Sequence, residues 1–101
     1  VIPILSLGGI GVISVLSNVR PAAVHDMVME YLNGNIKSAL DIQLKYLDLI
    51  EALFCEVNPI PVKAAMKLLG YDVGGLRLPL TELEETNRAR LKESMESLKE
   101  N

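Results

Sequence analysis

The feature that most constrains the fold of this chain is a short apolar run that follows a cluster of glycines. The glycine-rich residues 8–11 lead into residues 12–16, which are apolar except for Ser14, and three of them are branched at Cβ. So brief a run predicts a strand buried on both faces, as in parallel sheets, because a helix of that length would be marginal. No comparable strand follows, and a lone strand would leave backbone groups orphaned at roughly 1–3 kcal/mol each. We therefore interpret the chain, which begins with Val1 and not with a methionine, as a piece of a larger fold.

The composition is compatible with one small domain and argues against several classes of partner. Half of the 101 residues are hydrophobic and the net charge is −3. The basic residues are interspersed with acidic ones, so no basic surface indicates nucleic-acid binding. Cys55 is the only cysteine, which excludes an internal disulfide and favours a cytoplasmic protein. Because no histidine or second cysteine lies at metal-ligand spacing from it, we predict no metal site, and we expect no cofactor.

Residues 1–19 carry no charge, which raises the question of a membrane anchor. Pro3, the glycine cluster and Asn18 interrupt the apolar stretch, and neither a basic leader nor a small-residue cleavage site accompanies it. We interpret the stretch as protein core and expect no membrane partner.

The rest of the chain has the periodicity of helices. Gly8, Gly34 and Gly70 stand where helices are expected to end. A helix is predicted over Ala22–Leu32, with Pro21 in its first turn, and another over residues 36–54. The second has a broad apolar face, beside a charged stripe of Lys37, Asp41, Lys45 and Asp48. The members of that face are Leu40, Leu44, Leu47 and Ile50, widened by Ile42, Tyr46, Leu49 and Leu53. So wide a face predicts packing against two neighbours, or against one neighbour and another subunit.

A short helix after Pro59 and a last, solvent-facing helix complete the pattern. Thr81 and Glu84 have the spacing of a capping box at the start of the last helix.

Residue types alone indicate no catalytic site. The glycine cluster precedes the predicted strand, whereas a phosphate-binding loop follows a strand and begins a helix. His25 falls on the polar face of its helix, which is typical of a solvated residue. Lys63 lies in the first turn of a helix without an evident desolvating pocket, so we do not expect it to form a Schiff base.

Three blocks of sequence carry a resemblance that goes further. They are Gly8-Gly9-Ile10-Gly11-Val12-Ile13-Ser14-Val15 with Asn18, then Asn58-Pro59-Ile60-Pro61-Val62-Lys63, then Leu76-Arg77-Leu78-Pro79-Leu80. Their order and spacing resemble the C-terminal part of the 4-hydroxy-tetrahydrodipicolinate synthase family, also called dihydrodipicolinate synthases, over nearly the whole chain. The first block alone also fits the wider group of pyruvate-dependent aldolases, including N-acetylneuraminate lyase.

The resemblance implies a mostly α-helical chain that completes a (β/α)8 TIM barrel and then forms a C-terminal helical domain. Residues 1–33 would hold the end of helix seven, strand eight at Val12–Leu16 and helix eight, and residues 34–101 the helical domain. Such a barrel needs about 250 residues, so strands one and seven, which would pair with strand eight, lie outside this chain.

The implied activity is that of a lyase in lysine and diaminopimelate biosynthesis. Pyruvate forms a Schiff base on a lysine of strand six, and the derived enamine attacks aspartate semialdehyde. No catalytic residue falls in this chain, so the segment alone is expected to be inactive without the remainder of the barrel. The resemblance also implies a cytoplasmic homotetramer.

The resemblance assigns one substrate contact to this chain. Ile13 matches the family residue whose main-chain carbonyl lines the pyruvate pocket. Ser17, where alanine is common in the family, and Asn18 are weaker candidates, because they follow the predicted strand at the catalytic end of the barrel. Two alternatives stay open: another pyruvate-lysine aldolase such as N-acetylneuraminate lyase, and a stand-alone helical assembly module without catalysis, organised by the apolar face of helix 36–54.

Overall fold

In the computed structural model, which describes residues 1–98, the prediction of a mostly helical chain is confirmed. The helices are α1 (Ile2–Ser6), α2 (Leu16–Val19), α3 (Pro21–Leu32), α4 (Ile36–Leu53), α5 (Ile60–Leu68) and α6 (Glu85–Ser97). None of these helices is long and apolar enough to cross a membrane. The residues form two units, Val1–Leu47 and the residues from Asp48 onward, which are described separately. The last three residues of the predicted C-terminal domain, 99–101, lie outside the described residues.

Glycines end three of the helices as predicted. At the end of α1, Gly8 has φ 97° and donates its N–H to the carbonyl of Leu5, while Gly9 donates to the carbonyl of Ile4. These two bonds define a Schellman motif, which needs a left-handed residue that glycine provides without strain. The same pair of bonds closes α3 at Gly34 and α5 at Gly70.

The helix α3 agrees closely with its prediction. It begins at Pro21, buries Val24 and Met27, and leaves His25 exposed. In the first unit, α3 packs against both α1 and α2.

The predicted strand at Val12–Leu16 is not formed in residues 1–98, which contain no strand. Residues 10–14 have no regular secondary structure, and Leu16 is the first residue of α2. No backbone N–H of residues 10–14 donates to a backbone carbonyl anywhere in residues 1–98. The physical reason is that a strand is stable only when it is hydrogen-bonded to a neighbouring strand. No other segment of residues 1–98 supplies such a neighbour.

The broad apolar face predicted for α4 is only partly buried. Tyr46, Leu49 and Leu53, expected at its edges, are buried, whereas Leu40, Leu44 and Leu47, expected at its centre, are exposed. Helical spacing gives the width of an apolar face but not the part of it that meets a neighbour. The charged stripe is confirmed where Lys37 Nζ lies 3.2 Å from Asp41 Oδ2.

In the second unit, α5 and α6 pack against each other around a buried apolar cluster. Its members are Ile60, Pro61, Val62, Ala64, Ala65, Leu83, Leu91 and Met95.

The capping box predicted at Thr81 and Glu84 is wrong, because α6 begins at Glu85 and Glu84 is its N-cap without a capping side-chain bond. Glu56 serves this end of the helix instead: its Oε2 accepts the N–H of Glu84 at 3.0 Å and the Nδ2 of Asn87 at 2.8 Å. A carboxylate is favourable beside a helix N-terminus. Since Glu56 lies 28 residues before Glu84, no local pattern could have indicated it.

The other end of α6 is fixed to the carboxyl-terminal part of α4. Ser94 is only 3% exposed, and its hydroxyl donates to Asp48 Oδ2 at 2.6 Å. Ser97, one turn later and exposed, donates only to the carbonyl of Ser94 within its own helix. The two serines therefore differ in what their hydroxyls connect.

We expect Ser94→Ala to lower the free energy of unfolding by about 1–2 kcal/mol, because the hydrogen bond from a buried hydroxyl to a carboxylate is lost and Asp48 loses a partner. Ser97→Ala is the matched control and should change it by less than about 0.5 kcal/mol. Urea unfolding of the purified protein measures both. Equal effects of the two substitutions would contradict the role given to Ser94.

Candidate functional site

The candidate site is the segment of residues 9–15, the glycine-rich segment, with the start of α2 that follows it. It contains Ile13 and precedes Ser17 and Asn18, the three residues that the sequence singled out. The geometry at its two ends differs from that of its middle.

The first end of the glycine-rich segment is fixed by close approach to α1. A Cβ at Gly9 would lie 2.8 Å from Ile4 Cγ2 and 2.9 Å from the Ile4 carbonyl oxygen. The second contact is with backbone, which moves only if the turn opens. Gly9 therefore lets the chain leave α1 through a tight turn, and this turn fixes the direction of the residues that follow.

The second end is fixed by two serines. The hydroxyl of Ser17 donates to the Ser14 carbonyl at 2.6 Å, and the N–H of Ser17 donates to Ser14 Oγ at 3.2 Å. Asn18 adds a third local bond, from its Nδ2 to the Val15 carbonyl at 3.2 Å. These bonds satisfy backbone and side-chain groups at the start of α2, as serine and asparagine side chains commonly do at helix starts. Ser14 was not among the predicted site residues, although its being the only polar residue in an apolar run was a usable signal.

The middle of the glycine-rich segment is open. Ile10 is 91% exposed and Ile13 105% exposed, the latter as open as in an extended reference peptide. A Cβ at Gly11 would meet no atom within 4 Å. Apolar side chains in this state have gained none of the roughly 25 cal/mol per Å² that burial provides, so this surface is suited to being covered.

The structure thus places the three predicted site residues next to one another, but it brings no further group to them. Within residues 1–98, the hydrogen bonds of Ser17 and Asn18 go only to residues 14 and 15. Both side chains have a local structural role, and the Ser17 hydroxyl proton is already used. A contact of substrate with the Ile13 carbonyl stays a prediction.

Two other residues considered from the sequence, Lys63 and His25, lie in surroundings that indicate no catalytic role. Lys63 is half-buried, and its Nζ donates to the Gly75 carbonyl at 2.7 Å, which ties α5 to the loop that follows it. His25 is exposed on α3. Among the residues that the structure describes, no group of three or more histidine, cysteine, aspartate or glutamate side chains is placed to hold a metal ion.

Comparison with known proteins defines the class of protein. The sequence profile of the dihydrodipicolinate synthetase family matches residues 1–98, and the chain belongs to this family. The 4-hydroxy-tetrahydrodipicolinate synthase of Lachnoclostridium phytofermentans is 52% identical over 98 residues, which are 97% of this chain and 33% of that protein. The chain therefore spans about a third of the length of this curated relative.

Solved structures give the same result for the fold. The crystal structure of dihydrodipicolinate synthase from Aquifex aeolicus superposes with a TM-score of 0.92 at 40% identity, over 96% of this chain and 33% of that one. A second structure, described as the first monomeric dihydrodipicolinate synthase variant, has a TM-score of 0.92 at 40% identity over 96% of this chain and 32% of that one. The helical arrangement of this chain is thus that of about a third of a synthase chain.

We expect Gly9→Ala to destabilise the protein by about 1–3 kcal/mol, because its methyl group would overlap Ile4 and force the turn to open. Gly11→Ala is the control, since space is free there, and its effect should stay within about 0.5 kcal/mol. Thermal unfolding of both variants measures the difference. A Gly9→Ala protein as stable as the Gly11→Ala protein would show that the close approach does not constrain the segment.

Proposed function

We propose that this chain is the C-terminal part of a Schiff-base lyase that condenses pyruvate with L-aspartate semialdehyde to give 4-hydroxy-tetrahydrodipicolinate, in lysine and diaminopimelate biosynthesis. The single observation that carries the proposal is the family match over residues 1–98. The chain spans only a third of its curated relatives, so the activity belongs to the complete barrel. The segment alone is proposed to be inactive, with the Schiff-base lysine outside it.

The open middle of the glycine-rich segment supports a place in a barrel. Residues 10–13 present unpaired backbone groups together with exposed apolar side chains, the combination that an inner strand of a parallel sheet has before its neighbours are added. In the proposed arrangement Val12–Leu16 forms strand eight, paired on both sides by strands of the rest of the barrel. Residues 1–33 then close the barrel, and residues 34–101 form the appended helical domain.

The proposed chemistry requires little of the side chains in this chain. A lysine iminium acts as an electron sink that makes the methyl protons of pyruvate acidic, and the resulting enamine attacks the aldehyde. A main-chain carbonyl such as that of Ile13 offers partial negative charge, which favours a cation in a pocket shielded from water. The residue needs a fixed backbone position, which the bonds of Ser14 and Ser17 help to set.

We further propose a cytoplasmic homotetramer as the working state. Support comes from the relative described as the first monomeric variant of its kind, since the description sets it apart from other synthases. The exposed apolar residues of α4 are compatible with such an assembly.

The proposal is tested on the complete protein with pyruvate as first substrate. Reduction with borohydride in the presence of pyruvate should inactivate the enzyme and leave a pyruvate-derived mass on one lysine, because reduction converts the iminium into a stable amine. We expect the modified peptide to lie outside residues 1–98. The same mass increment on Lys63 would overturn the assignment.

The second substrate separates the proposal from its nearest alternative. Aspartate semialdehyde should be consumed together with pyruvate, whereas N-acetylneuraminate should not be cleaved. The reverse result would identify another pyruvate-lysine aldolase, and inactivity with both, without borohydride trapping, would leave an assembly module.

The role of Ile13 gives a separate prediction. If only its main-chain carbonyl meets pyruvate, Ile13→Val should leave the KM for pyruvate within about twofold of the original value, because the carbonyl is retained and one methylene is lost. Steady-state kinetics at saturating aspartate semialdehyde measure this. A rise in KM of tenfold or more with unchanged kcat would instead indicate that the side chain contacts the substrate.

A further inference from the structure

We propose that Ser14 and Ser17, which we name the serine pair, are positioning residues for the proposed condensation. Their reciprocal hydrogen bonds orient the backbone that carries the Ile13 carbonyl, so the two side chains act on pyruvate through the peptide group between Ile13 and Ser14. This inference rests on the proposed function and deepens it, since it says what holds the predicted substrate contact in place.

The two hydrogen bonds of the serine pair fix the orientation of one backbone carbon. The carbonyl of Ser14 accepts the Ser17 hydroxyl at 2.6 Å, and the Oγ of Ser14 accepts the Ser17 N–H at 3.2 Å. The bonds therefore hold both the side chain and the carbonyl group on the Ser14 Cα. Because this carbon is tetrahedral, its bond to the Ser14 nitrogen then has a fixed direction as well. The peptide group that contains the Ile13 carbonyl is planar, so it can still turn only about that one bond.

Local donors engage the two carbonyls that follow Ile13. The Ser14 carbonyl accepts the Ser17 hydroxyl, as described above. The Val15 carbonyl accepts the backbone N–H of Asn18 at 3.1 Å and its Nδ2 at 3.2 Å. The Ile13 carbonyl accepts no hydrogen bond from residues 1–98. Of these three consecutive carbonyls, that of Ile13 is therefore the one left for a ligand, and it is also the one whose direction the serine pair restricts.

Ser6 makes the same local bond outside the glycine-rich segment and therefore offers a matched control. Its hydroxyl donates to the carbonyl of Pro3, three residues earlier, at 2.7 Å, as the hydroxyl of Ser17 does to the carbonyl of Ser14. Ser6 is the last residue of α1 and is exposed. Replacing it by alanine removes a hydroxyl-to-carbonyl bond of the same spacing and nearly the same length, but leaves the peptide group of Ile13 and Ser14 as it is.

The test is the steady-state kinetics of the complete protein, with pyruvate varied at saturating aspartate semialdehyde. Ser14→Ala should raise the KM for pyruvate about tenfold, because it leaves the backbone N–H of Ser17 without an acceptor. Ser17→Ala should raise it about threefold, because only a carbonyl loses a donor. The kcat should stay within about twofold of the wild-type value, since the carbonyl contacts bound pyruvate before and during the reaction. Ser6→Ala should leave both constants unchanged.

Two further measurements separate positioning from a general loss of structure. Ser14→Thr keeps the side-chain oxygen, and its branched Cβ suits extended backbone, so its KM should lie within about twofold of the wild-type value. The pyruvate concentration that gives half-maximal labelling with borohydride should rise by the same factor as KM in each alanine variant. A change confined to the stability of the folded protein would move neither quantity in the fraction that stays folded. If Ser14→Ala does not fold, the threefold effect of Ser17→Ala on both quantities decides.

The inference is overturned if the alanine variants of the serine pair leave KM unchanged, if Ser6→Ala raises KM as much as they do, or if Ser14→Thr behaves like Ser14→Ala. The wild-type protein distinguishes this failure from that of the proposed function. If it condenses the two substrates and is labelled in the presence of pyruvate while the serine variants match it, the inference alone is refuted. If it does neither, the proposed function is refuted, and the inference with it.

Discussion

Every backbone N–H and carbonyl group needs a hydrogen-bond partner, and this requirement constrains what the chain can fold into. Residues 10–13 are Ile, Gly, Val and Ile, so water is a poor environment for their side chains, yet their backbone groups have no hydrogen-bond partner within residues 1–98. Extra helices cannot solve this, because only a neighbouring extended segment offers donors and acceptors at strand spacing. The surrounding helices satisfy most of their backbone groups internally, whereas residues 10–13 have no such internal partners.

Features that depend on residues close along the chain could be predicted from the sequence. Gly8, Gly34 and Gly70 end helices because a left-handed residue is required after the last turn, and this requirement acts over five or six residues. Pro21 begins α3 for an equally local reason. Features that depend on residues distant along the chain could not be predicted in this way. Glu56 replaces the expected capping box of α6, and the buried side of α4 is not the centre of its apolar face.

The strand illustrates the same distinction within one segment. The composition of residues 12–16 is typical of a strand buried between neighbours, and the sequence has this composition whether or not the neighbours are present. The conformation depends on the neighbours themselves, so residues 10–14 remain without regular structure and Leu16 joins a helix. Likewise the sequence could place Ile13, Ser17 and Asn18 together, since they are close along the chain. It could not show that the hydroxyl of Ser17 is already engaged by Ser14.

The glycine-rich segment combines fixed ends with an open middle, and this combination is suited to completing a barrel. If its ends were free, pairing with neighbouring strands would have to order them as well, at a cost of about 1–2 kcal/mol per residue in backbone entropy. Here the turn at Gly9 and the serine pair at Ser14 and Ser17 have already fixed the residues on either side. Only the few residues between them remain to be ordered when neighbours add their hydrogen bonds. Under the proposed function, a carbonyl in that middle, such as that of Ile13, would take its final position only together with the strands beside it, which would tie substrate binding to closure of the barrel.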